Sequence, residues 1–112
     1  MRSIVFFLMV VLLPSNSFAI TGNEMLNHCK SEISENQTNS YGSGFCTGAV
    51  STLGAVGSFL NPEMRFCTPP GVSRVQLVRV VVQHMERYPH LLHTDFIGIS
   101  SAALRIAWPC KL

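Results

Sequence analysis

The chain lacks most of what an enzyme, a metal centre or a nucleic-acid binder displays. Its four cysteines are widely spaced and form no paired-cysteine signature, which argues against a structural zinc site. No cysteine sits in a recognisable nucleophile motif. His28 adjoins Cys29, but consecutive helix positions do not face each other, so the two make a poor nucleophile–base pair. There is no basic stripe interleaved with aromatics and no acidic tail, so nucleic acid and basic partners find no footprint. Eight Lys and Arg stand against six Asp and Glu, and one of the eight is Arg2 at the very start. Past residue 13 no apolar run approaches the length needed to span a bilayer. No internal repeat is present. These absences leave no catalytic residue, metal ligand or cofactor site to nominate.

What is present begins with an export leader. Arg2 precedes the unbroken apolar run Ile4 to Leu13, Pro14 breaks it, and Ser17-Phe18-Ala19 offers small residues where a signal peptidase inspects them. The run is about half of what a membrane anchor needs. Residues 1–19 therefore read as a signal peptide cleaved after Ala19. Residues 20–112 form one small domain with no membrane contact after cleavage. A domain of that size benefits from covalent help. Cys29, Cys46, Cys67 and Cys110, an even number in an exported chain, read as a disulfide framework in an oxidising compartment.

The periodicity predicts an all-α fold of four helices. Thr21 and Glu24 make a capping box for a first helix from about Gly22 to Ser34, with Met25, Leu26, Cys29 and Ile33 on one side. The polar stretch 35–40 follows as a loop. Its Asn36-Gln37-Thr38 sequon is read as chance. A second helix is expected from about Tyr41 to Phe59, low in charge and rich in glycine. Glycine costs about 1 kcal/mol against Ala in a helix interior, so packing must supply what propensity does not. Gly44, Gly48 and Ala55 form a small-residue surface that serves either as a tightly packed core face or as a self-association face. Ser73 and Gln76 make a second capping box, and Val75, Val78, Val82 and Met85, widened by Val81 and Tyr88, give a third helix ending before Pro89. The cap and the terminal proline favour helix over the strand that a valine-rich run also allows. Thr94 is the expected N-cap of the last helix, with Asp95 near its positive end. Phe96, Ile99, Ala103 and Ile106 form its stripe, bordered by Leu104 and Ala107, and Pro109 ends it.

This layout constrains the disulfides. Cys46 and Cys67 lie near opposite ends of a helix on the order of 25 Å long, too far to bridge. The third and fourth helices join through a short connection, which makes them antiparallel neighbours and brings Cys67 beside Cys110. Cys29 and Cys46 face each other across one polar loop. The expected pairs are Cys29–Cys46 and Cys67–Cys110. The connection His90-Leu91-Leu92-His93 carries two leucines in a short turn, which either pack beneath it or contact a partner.

The segments GNEMLNHC, YGSGFCTGAVSTLGAV, FCTPPGVSRVQLVRVVVQHMERYP and SAALRIAWPC occur in that order. They resemble the Rap/Tai family of type VI secretion immunity proteins. The residues that carry the likeness are Gly22, Cys29, Gly44, Phe45, Cys46, Gly48, Cys67, Pro69, Gly71, Val72, Gln76, Leu77, Pro89, Pro109 and Cys110. Ala49 stands where the family usually has an aromatic residue, and Thr52 where a further glycine is common. The resemblance implies a periplasmic, non-enzymatic antidote, often a homodimer, that binds a secreted Cys/His peptidoglycan amidase and occludes its cleft. On that reading the partner-binding element is the turn His90, Leu91, Leu92 and His93 with Glu86 and Asp95 at its base; the alternative is the loop Asn61–Arg65. Two other functions fit the same composition. One is an acid-stress chaperone of the HdeA type, with the glycine-rich helix as its buried dimer face. The other is an envelope or phage-borne binding protein with a partner that is not an amidase.

Overall fold

The computed structural model describes residues 19–35 and 40–111. The expected signal peptide (all but Ala19) and most of the polar loop lie outside the described residues. Four helices follow in order: α1 Gly22–Ile33, α2 Ser40–Val56, α3 Arg74–Arg87 and α4 Phe96–Ala107. Short 3₁₀ turns occupy Gly57–Phe59 and Pro89–Leu91. No strand occurs among the described residues; one isolated bridge joins Thr21 to Asp95.

The first cap forms as its sequence dictates. The Thr21 hydroxyl accepts from the Glu24 N–H at 3.3 Å, and the Thr21 N–H donates to the Glu24 carboxylate at 3.1 Å. At α3 only half of the expected box is made: the Ser73 hydroxyl accepts from the Gln76 N–H at 3.1 Å. At α4 the cap is shifted by one residue. Asp95, not Thr94, is the N-cap, and its carboxylate accepts from the Gly98 N–H at 3.0 Å. Thr94 is instead engaged backwards, its hydroxyl donating to the Leu91 carbonyl at 2.6 Å.

The core is one cluster built from all four helices, with Met25 and Cys29 of α1, Cys46, Val50 and Leu53 of α2, and Val78, Val81, Val82 and Met85 of α3 among its buried members. Phe66, from the α2–α3 connection, is fully buried beside Gly57. Two stripe assignments change. Leu77 is buried on α3 and Val75 is left 38% exposed. Leu77 takes that place because Gly54 of α2 leaves room for it: a Cβ on Gly54 would lie 2.9 Å from Leu77 Cδ1. On α4 the buried face is Phe96, Ile99, Ser100, Ser101, Ala103 and Leu104. Ile106 falls at the edge of that arc and is 70% exposed, and Ala107 is exposed with it.

Both expected disulfides are present. Cys29–Cys46 ties α1 to α2 across a sequence separation of 17, and Cys67–Cys110 ties the α2–α3 connection to the tail across 43. The Cys67 N–H also donates to the Trp108 carbonyl at 2.9 Å, so the tail is held by main chain as well as by sulfur.

Candidate functional site

The turn between α3 and α4 is fixed from beneath by the N-terminal segment. The Asn23 N–H donates to the Leu92 carbonyl at 2.8 Å, the Gly22 N–H to Thr94 at 3.1 Å, and the Phe96 N–H to Ile20 at 2.7 Å. Gly22 permits this approach: a Cβ there would meet the Leu92 carbonyl oxygen at 3.1 Å and Ile99 Cδ1 at 2.7 Å. The two leucines thus divide. Leu92 packs against the core, whereas Leu91 is half-buried outside it. His90 and His93 are exposed and form the outer surface of the turn.

The carboxylates expected at the base of the turn are both occupied. Asp95 caps α4. Glu86 points to the α1 side, where it pairs with Lys30 at 3.6 Å. With both partners about half exposed, the pair adds little to stability. His90, in contrast, joins a cluster the periodicity did not reveal. Its ring meets Tyr88 edge-on at 6.1 Å, and Tyr88 in turn lies 4.9 Å from the tilted ring of His84. The Arg87 guanidinium sits 5.7 Å from the Tyr88 ring centroid, within cation–π range. Partial burial, and after it the charge of Arg87, pushes the His84 imidazole below its ordinary value of 6.5. This shelf borders a depression of about 200 Å³ between α3 and α4, floored by Val80, Ala103 and Ile106. The spacing of His84, Arg87 and Tyr88, at i, i+3 and i+4, was the available sequence signal.

A second surface lies on α2. Gly44, Gly48 and Ala55 are all exposed, and a Cβ on either glycine would meet nothing within 4 Å. No backbone of the same chain therefore approaches there, and the expectation of a tightly packed core face is not met at these positions. The close approaches fall at Gly22, Gly54 and Gly57 instead. Around the open glycines stand Tyr41, 78% exposed, together with Phe45, Val56 and, from α4, Ile97. Phe45, Val56 and Ile97 border an open apolar groove of about 560 Å³. No charged residue occurs anywhere in α2. A face that is apolar and free of charge is suited to burial against another protein.

The loop Asn61–Arg65, the other expected contact element, is braced from within. The Arg65 guanidinium donates to the Leu60 carbonyl at 3.1 Å, and Arg105 of α4 donates to the Glu63 carbonyl. Among the described residues no group of three or more His, Cys, Asp or Glu is placed to hold a metal ion, and no helix is long and apolar enough to cross a membrane.

No curated protein and no solved structure matches the chain. The family model for the Rap1a immunity proteins matches residues 21–110, which takes in all four helices and all four cysteines. On that match the chain belongs to the Rap1a immunity protein family, and its role is in immunity to a toxin.

Proposed function

We propose that the mature chain is a periplasmic immunity protein that binds a type VI-secreted peptidoglycan amidase and blocks its cleft, protecting the cell that makes it. The observation that carries this reading is the family match over residues 21–110. Two formed disulfides, with no free cysteine among the described residues, support the compartment, because such bonds persist in the periplasm and are rare in the cytosol. The inhibitor works by shape. A toxin of the Cys/His type needs an open groove to admit a peptide stem, and a rigid projection seated there excludes substrate. The turn bearing His90 and His93 fits that task, since hydrogen bonds from the N-terminal segment hold it in place before binding. The charge-free face of α2 around Gly44, Gly48 and Ala55 serves as the contact between two copies, leaving the turn free.

Periplasmic co-expression tests the reading. The probe is a type VI-secreted Cys/His peptidoglycan amidase: exported alone it is expected to lyse the host, and co-export of this chain is expected to restore growth. Equal lysis with and without the chain would sink the proposal. Replacing His90 and His93 together by alanine is expected to lower protection without lowering the melting temperature, because neither side chain belongs to the core.

A further inference from the structure

The cluster at the end of α3 has features the turn alone does not explain. Tyr88 is flanked on three sides by His84, Arg87 and His90, so planar groups are ordered against one another before any partner arrives. Tyrosine and arginine are enriched among the few residues that dominate binding at protein interfaces. Among the described residues Arg87 forms no ion pair, and its sequence neighbour Glu86 is turned to Lys30 of α1. Beside this cationic rim Ile106 stands 70% exposed, an aliphatic side chain in water where its helix stripe had led one to expect burial. The residues of α4 that face the depression, Ala103, Ile106 and Ala107, bring no charge. Glu63 lines a separate depression that shares Ile106, and Glu86 is paired with Lys30. The groove is thus positive on one edge and apolar on the other, with no acid of its own.

We propose that the groove between α3 and α4 is a second toxin-facing surface, and that it takes a carboxylate side chain of the toxin at Arg87 with an adjoining aliphatic side chain against Ile106. This deepens the immunity reading and rests on it. A carboxylate suits the site because an arginine already aligned over a ring loses little freedom when it accepts a charged partner. An aliphatic neighbour suits it because Ile106 and Val80 give that side chain apolar surface to cover. The groove adjoins the turn through His90, so a single partner spans both.

The test is titration calorimetry of the purified, oxidised mature protein against the type VI-secreted amidase used in the co-expression experiment. Arg87→Glu and Ile106→Glu are each expected to weaken binding at least tenfold. Arg79→Glu, on an exposed part of α3 away from the groove, is expected to stay within twofold of the wild type. Circular dichroism melts of all three verify folding. If the wild type binds and Arg87→Glu and Ile106→Glu bind as tightly, the groove is overturned while the immunity reading stands. If the wild type itself does not bind, the immunity reading fails and the groove falls with it.

Discussion

Single residues on this chain differ most sharply at its glycines. At Gly57 a methyl group would lie 2.5 Å from the Phe66 ring, which is fully buried and cannot step aside. Gly57→Ala is therefore expected to destabilise by about 1–3 kcal/mol, as overpacking does, and a urea melt measures it. Gly48 is the opposite case, with open space where the methyl would go. Gly48→Ala is expected to raise stability by roughly 0.5–1 kcal/mol through helix propensity alone. If two copies meet on that face, the same change weakens self-association, which analytical ultracentrifugation reads. His84 sets a pH dependence. Burial and Arg87 favour its neutral form in the fold, so the unfolded chain binds the proton more readily. Its contribution is complete above about pH 6.5, the ordinary value, and is lost as pH falls through the lower folded value. His84→Gln is expected to flatten the dependence of melting temperature on pH across that window.

Among the elements, the helix starts are fixed by local chemistry and the buried faces by neighbours. The Thr21 cap follows from four residues of sequence. The shift from Thr94 to Asp95 does not, because it depends on Thr94 being drawn back to Leu91 and on the Phe96 N–H reaching Ile20. Asp95→Ala is expected to cost about 1 kcal/mol. Thr94→Ala, which removes no cap, is expected to cost less, and the pair of melts decides between the two assignments. On α3 the arc of Val75, Val78, Val82 and Met85 was legible as a helix. Which edge of that arc is buried was settled by Gly54, whose missing side chain admits Leu77. The same holds on α4, where Ile106 has the right residue type for a core and the wrong position for one.

Across the whole molecule the two disulfides hold unequal spans. Closing loops of 17 and 43 residues removes unfolded-state entropy equivalent to about 3 and about 4 kcal/mol in the chain-entropy picture. Access runs the same way. Cys29 and Cys46 are wholly buried, whereas Cys67 is exposed. A thiol reductant is expected to open Cys67–Cys110 first, leaving a species with two free thiols that alkylation and peptide mapping identify. Simultaneous loss of both bridges would mean that the molecule opens as one unit before either sulfur is reached.

The four helices, their order, the two disulfide pairs and the family were all legible in the residues alone. The helices rest on short-range information, caps within four residues and periodicity within a few turns; the disulfide pairs follow from the helix order and the family from motifs spread along the chain. Which glycines are pressed against a neighbour and which lie open emerged from helix packing. That packing also set Leu92 against the core and left His90 outside, turned Glu86 toward Lys30, and gathered His84, Arg87 and Tyr88 beside Ile106. Those outcomes depend on how far one helix is rotated against the next, and a stripe of apolar residues specifies that rotation only to within the width of the stripe.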